Sequence, residues 1–145
     1  MKKTSLRVHN PSGWAMFIFG FLAFFLGIVG LIFPEFLLTL LGFTVVKPGA
    51  RVHGDYTIVF MIASSMASFN MGAYYILAAL KNLKTFYYWT VPFRMATFII
   101  FTLAALNHVA PMRFIGVGAW EGLGALATGI ALYIESSRGK SMSVE

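Results

Sequence analysis

The chain has 145 residues, the length of one domain, but 59% of them are hydrophobic and only 11% are charged. This composition excludes an ordinary soluble protein and indicates an integral membrane protein. The formal net charge of +6 does not indicate nucleic-acid binding, because Lys and Arg are scattered over termini and short loops instead of forming a basic face. The absence of cysteine excludes disulfides, thiolate metal sites and cysteine nucleophiles.

The first apolar run predicts a membrane-spanning helix over about residues 14–33. No small-residue cleavage pattern follows it, so we expect a retained helix and not a signal peptide. Apolar sequence resumes over residues 34–41, where Pro34 suits the first turn of a helix and Gly42 its end. We predict a short helix lying flat at the outer interface; a tilted continuation of the first span is the alternative.

Three further apolar runs predict spans over about residues 56–80, 86–107 and 114–134. The third span begins either near Phe86 or at Pro92, since proline suits a first helical turn. We expect a polar, frayed tail from Glu135 onward.

Short connections between these spans predict an all-α, integral membrane four-helix bundle of up-down-up-down topology, forming one domain over residues 1–145. More Lys and Arg residues fall in the amino terminus, the second loop and the tail than in the first and third loops. Because positive charge collects on the cytoplasmic side, we expect both termini to face the cytoplasm.

Small residues recur at helical spacing in three of the predicted spans. The first contains Gly20, Ala23, Gly27 and Gly30, the second Ser64, Ser68 and Gly72, and the fourth Gly118, Gly122, Gly124 and Ala125. Such ridges let helix backbones approach closely in lipid, where packing holds helices together. They predict close helix contacts within the chain, or between subunits of a homo-oligomer or a larger membrane complex.

Arg94 and Glu121 are charged residues inside predicted spans, where a charge requires a partner, a cavity or a function. If the third helix starts near Phe86, the Cα atoms of the two residues differ in depth by less than about 8 Å at a rise of 1.5 Å per residue. The two side chains would then form a buried pair that fixes helix register, binds an anionic head group or serves a proton-linked site. If the helix starts at Pro92 instead, Arg94 snorkels to the cytoplasmic phosphates.

The second span carries a polar stripe of Ser64, Ser65, Ser68 and Asn70. These side chains either form hydrogen bonds between helices or line a cavity for a lipid-like ligand. With Trp120, which neighbours Glu121, the predicted ligand-binding set is Arg94, Glu121, Ser68, Asn70 and Trp120. Arg94 and Glu121 are also the candidates for any catalytic role.

A second polar group is predicted at the outer face. It contains Glu35, His53, Asp55 and His108, close to Arg51 and Arg113. Histidine and carboxylate side chains suit Zn, Cu or Fe, but their spacing here matches no metal-binding motif. We therefore expect neither a metal nor a cofactor.

Several short motifs resemble those of the DoxX-like and related small four-helix membrane proteins of unassigned function. The matching elements are Gly27-x-x-Gly30-x-x-x-Pro34 with Gly42, Arg51-x-x-Gly54, Gly72-Ala-Tyr-Tyr, and Arg94 in the third helix. The resemblance covers most of the chain and implies the four-helix bundle, but it assigns no residue a role.

These patterns predict a non-catalytic membrane protein that acts as an accessory or scaffold subunit, or binds a lipid-like molecule, and that assembles through its glycine-rich helix faces. Membrane lipids are its expected partners. The alternative is a small membrane enzyme or proton-coupled carrier for a hydrophobic substrate, with Glu121 as acid/base or cation site and Arg94 as its electrostatic partner.

Overall fold

The computed structural model describes the backbone of residues 7–141 and the side chains of residues 7–138. In this part of the chain all regular structure is helical, with five α-helices and single 3₁₀ turns at Pro48–Ala50 and Met112–Phe114. The helices are α1 (Pro11–Ile32), α2 (Pro34–Leu40), α3 (Thr57–Leu80), α4 (Lys84–Leu106) and α5 (Ile115–Ser141). Four of them, all but α2, are long and apolar enough to cross a membrane, which confirms the prediction of an all-helical chain with four such segments.

Helix α2 is separate from α1. Phe33, between them, has non-helical backbone angles of φ −127° and ψ 62°, and Pro34 supplies no N–H to continue the hydrogen-bond ladder of α1. The chain therefore turns at Phe33, and the continuous-helix alternative does not apply. Leu37 of α2 folds back beside Gly30 of α1, and Leu38 is buried.

Helix α4 begins at Lys84, ahead of both predicted starts, and contains Pro92 in its interior. Arg94 consequently lies well inside the helix and not in its first turn. Pro92 removes one backbone hydrogen bond from α4. The residue is exposed, and the helix continues through it without a break.

The expectation of a frayed tail from Glu135 is wrong as far as Ser141, because α5 continues to that residue. The Glu135 carboxylate accepts hydrogen bonds from the backbone N–H of Ser12 at 2.8 Å and from Lys84 Nζ at 2.9 Å. These contacts tie the last turns of α5 to the starts of α1 and α4. Lys2 and Lys3, which contribute to the predicted orientation, lie outside the described residues.

The long helices pack in the spatial order α3, α1, α5, α4. Helix α1 lies against both α3 and α5, and α4 lies against α5. Helices α3 and α4 meet near their connecting turn, where the Tyr87 hydroxyl donates to the Ala78 carbonyl at 3.0 Å and the rings of Tyr75 and Phe86 are 5.7 Å apart. Farther from the turn the described residues show no extensive α3–α4 packing, so a cleft separates the two helices.

The small-residue ridges of α1 and α3 face each other within the chain. A Cβ atom at Gly27 would lie 2.5 Å from the backbone nitrogen of Phe69, and one at Gly72 would overlap the backbone of Phe24. Ser68 Oγ, on the same face, donates to the Ala23 carbonyl at 2.9 Å. The close approach predicted from these ridges is therefore an intramolecular α1–α3 contact.

Gly72→Ala should lower the stability of the protein by about 1–3 kcal/mol, because the added methyl group meets backbone that cannot move without separating α1 from α3. The measurement is the apparent melting temperature in mild detergent. Gly116→Ala is the matched control, since a Cβ at Gly116 meets no atom within 4 Å. Equal melting temperatures for the two variants would contradict close α1–α3 packing.

Candidate functional site

Arg94 is the point at which the four long helices meet. Its side chain is 3% exposed, and its Nε donates to Glu121 Oε2 on α5 at 3.2 Å. The guanidinium carbon lies 3.4 Å from the ring centroid of Phe19 on α1 and 5.9 Å from that of Tyr75 on α3. The predicted approach of Arg94 to Glu121 is thus observed, and this buried position is incompatible with snorkelling.

Space for the guanidinium comes from Gly124 on α5. A Cβ at that position would overlap Arg94 Nη2 and would lie 2.7 Å from Phe19 Cδ2. Trp120, one turn earlier on the same helix, stacks on Phe19 with ring centroids 5.0 Å apart. We call this group, which consists of Phe19, Tyr75, Arg94, Trp120, Glu121 and Gly124, the Arg94 layer.

The guanidinium of Arg94 is only partly satisfied. Its Nη1 and Nη2 are buried and make no hydrogen bond within the described part of the chain. The faces of Phe19 and Tyr75 supply cation–π attraction, which is stronger when the cation is removed from water. Glu121, 23% exposed, supplies the opposite charge, so removing either member would leave the other without its counter-charge in apolar surroundings.

The cleft between α3 and α4 contains a cavity of about 520 Å³. Its walls come from all five helices and the adjoining loops, and its lining is almost entirely apolar, including Leu26, Leu37, Phe60, Phe101, Phe114 and Val117. Hydroxyl groups occur along α3, at Thr57, Ser64, Ser65 and Ser68, and the Thr57 hydroxyl bonds to Asp55.

The three serine hydroxyls already donate to backbone carbonyls. Ser64 and Ser65 bond to the carbonyl of Met61, at 3.1 and 2.7 Å, and Ser68 bonds across to Ala23. Their donor hydrogens are therefore used, and the hydroxyl oxygens can only accept hydrogen bonds from a ligand. The cavity favours a molecule that is mostly hydrocarbon.

The Arg94 layer lies beneath this cavity. On α1, α3 and α4 the innermost lining residue is seven positions from the layer, a rise of about 10 Å. Glu121 is one turn from Val117 on α5, and it does not line the cavity. The layer joins, below the cavity, the long helices that form its walls.

The predicted ligand-binding residues are divided between these two places. Arg94, Glu121 and Trp120 belong to the Arg94 layer, and Ser68 lines the cavity. Asn70 belongs to neither: it is half-buried, and its side chain makes no hydrogen bond with the described residues. The sequence did not mark Phe19 or Tyr75 as site residues, since an aromatic residue in an apolar helix carries no sign that it faces a cation.

The predicted outer-face group is only partly brought together. Glu35 forms an ion pair with Arg51, whose Nε also donates to the Val46 carbonyl at 3.1 Å. Asp55 accepts a hydrogen bond from the backbone N–H of Thr57 at 3.0 Å, and bonds from the Thr57 hydroxyl and N–H hold the pKa of the Asp55 carboxyl below its usual value. These contacts stabilise the loop between α2 and α3 and the first turn of α3.

The two histidines of this group, His53 and His108, are exposed, and neither hydrogen-bonds to the other members. Across residues 7–138 there is no cluster of three His, Cys, Asp or Glu side chains arranged to hold a metal ion. The outer-face group is therefore an Arg51–Glu35 ion pair with separate loop residues around it.

Neither a protein-family model, nor a curated protein, nor a solved structure matches this chain. The features of the chain that bear on its function are the Arg94 layer and the cavity above it.

Glu121→Gln should lower the stability of the protein by about 3–5 kcal/mol, because it leaves the buried Arg94 cation without a counter-charge. Thermal unfolding in mild detergent measures the loss. Glu35→Gln removes the same charge from the exposed Arg51 pair and should cost no more than about 1 kcal/mol. A Glu121→Gln protein as stable as the Glu35→Gln control would refute a structural role for the buried pair.

Proposed function

We propose that the protein is a multi-pass membrane protein that binds a lipid-like molecule in the cleft between α3 and α4. The observation that carries the proposal is the apolar cavity of about 520 Å³ in that cleft. Its volume lies within the range of roughly 300–1,000 Å³ that is usual for small-molecule sites. A hydrocarbon chain suits the lining, because the Ser64, Ser65 and Ser68 donors are already bonded to backbone.

The outward-facing surface supports insertion into a bilayer. Large apolar side chains on every long helix are exposed, including Phe25 on α1, Phe60 on α3, Phe93 on α4 and Tyr133 on α5. Apolar surface of this extent is unfavourable in water but matches lipid hydrocarbon. In a bilayer the cleft would open sideways between two spans, so a ligand would enter from the membrane.

We further propose an up-down-up-down bundle with α2 at the outer interface and both termini in the cytoplasm. Contacts among the start of α1, the α3–α4 connection and the end of α5 support this topology: Asn10 bonds to Asn82 at 3.0 Å, and Glu135 bonds to Ser12 and Lys84. Phe43 and Phe114, with rings 5.9 Å apart, join the other two connections.

The geometry favours ligand binding over catalysis or proton-coupled transport. Glu121 is engaged by Arg94 and does not line the cavity, so a ligand held there would not contact the carboxylate. We assign the pair a positioning role, in which it holds the helices around the cavity. A part in a larger assembly would use surfaces other than the α1 and α3 ridges, and the unbonded amide of Asn70 on α3 is suited to such a contact.

Ser64→Phe should abolish saturable binding of radiolabelled oleyl alcohol, because the larger side chain occupies the cavity. Binding is measured on the purified protein in mild detergent. Ala63→Phe is the matched control: it adds a ring at the neighbouring exposed position, which does not line the cavity, and should leave binding unchanged. Absence of saturable binding to the unaltered protein, or equal binding by both variants, would refute the cavity as the site.

The orientation can be measured with single cysteines, because the chain has none of its own. Val52→Cys, at a position 76% exposed in the α2–α3 loop, should react with an impermeant maleimide added to intact cells. Ser137→Cys, near the end of α5, should react only after the membrane is opened. The reverse pattern would place both termini outside.

A further inference from the structure

We infer that the ligand of the cavity is an anionic single-chain amphiphile, whose acidic head group pairs with Arg113 in the recess next to the cavity. This inference rests on the proposed function, and it adds the chemical class of the ligand and the residue that selects it. The shared chemistry of the head group is that of a carboxylate or a phosphate monoester.

Arg113 lies next to the apolar cavity in the chain and in space. It precedes Phe114, which lines that cavity, and it borders an adjoining, more polar recess of about 480 Å³. Phe43 lines both spaces, so the two are neighbours. An apolar chamber next to a polar recess matches the two parts of an amphiphile.

The side chain of Arg113 is held against the loop that follows α2. Gly42 has a positive φ of 86°, and a Cβ built on it would lie 3.1–3.3 Å from the Cβ, Cγ and Cδ atoms of Arg113. The absence of a side chain at Gly42 thus allows the arginine stem to lie on the backbone. This contact restricts the stem and keeps Arg113 at the recess.

Arg113 has no counter-charge among the residues whose side chains the structure describes. It makes no hydrogen bond or ion pair with any residue whose side chain the structure describes. The described carboxylates are all engaged elsewhere: Glu35 with Arg51, Asp55 with Thr57, Glu121 with Arg94, and Glu135 with Lys84 and Ser12. An acidic ligand would therefore meet an arginine that is available to it.

The guanidinium selects for an acidic head because it offers several N–H donors in a planar fork that matches two oxygens of a carboxylate or phosphate. The apolar cavity by itself distinguishes poorly between a neutral and an acidic head, since its α3 hydroxyls have no free donors. Arg113 is the residue that makes the distinction, and the cavity supplies affinity for the chain.

The test compares oleyl phosphate with oleyl alcohol, which have the same chain, and includes inorganic phosphate alone. Binding to the purified protein is measured at pH 8 in a non-ionic detergent. The unaltered protein should bind oleyl phosphate at least roughly tenfold more tightly than oleyl alcohol, the factor expected for one charge-assisted hydrogen-bonded contact. Inorganic phosphate alone should bind weakly and fail to displace oleyl phosphate.

Arg113→Gln should remove the preference for oleyl phosphate and leave the affinity for oleyl alcohol unchanged. Lys47→Gln is the matched control: it removes one exposed positive charge from the loop after α2, at a residue that lines neither space, and should retain the preference. Arg113 is itself exposed, so neither substitution disturbs the packed helices.

The outcomes separate this inference from the proposed function. Equal binding of the two amphiphiles, with both lost in Ser64→Phe, would overturn the role of Arg113 and retain the cavity as a site. A preference for oleyl phosphate over oleyl alcohol that persists in Arg113→Gln would likewise overturn the role of Arg113 and retain the cavity as a site. Binding of neither amphiphile would overturn both proposals, and tight binding of inorganic phosphate alone would replace the amphiphile with a free anion.

Discussion

A guanidinium buried among four apolar helices has to be neutralised inside the protein, because water is not available to it. Arg94 meets this requirement with one residue from each of the other long helices: Glu121 carries the opposite charge, and Phe19 and Tyr75 present their ring faces. Gly124 leaves the necessary space. These contacts fix how the helices are rotated and aligned, since any other arrangement would leave a charge unpaired.

The position of the α3–α4 cleft follows from this layer and from the contacts at one end of the helices. Glu135 ties α5 to the starts of α1 and α4, and Tyr87 ties α4 to α3. Beyond the Arg94 layer no comparable bond joins α3 to α4 among the described residues, so the two helices separate there. The walls of the cavity are therefore held together below it, while α3 and α4 stay apart at its side.

Hydrophobic runs and turn residues were sufficient to predict four long apolar helices and a short one after the first, because both signals are local. The Arg94–Glu121 contact was predicted as one of two alternatives: buried charges require partners, but the sequence did not fix where the third helix begins, and its start at Lys84 decides for the pair. A cavity was predicted only as one of two roles for the polar stripe of α3, and its place between α3 and α4 was not predictable, because it depends on these two helices failing to pack, which no local pattern encodes. The continuation of α5 past residue 134 was missed because Glu135 is held by residues distant in the sequence.

A double-mutant cycle on Arg94→Met and Glu121→Met, followed by unfolding in mild detergent, tests the central claim most directly. If the two charges support the fold through each other, each single substitution destabilises by about 3–5 kcal/mol and the double variant is at least as stable as either single variant. Strictly additive losses would show that the charges act independently, and would contradict the dependence of the helix arrangement on the Arg94 layer.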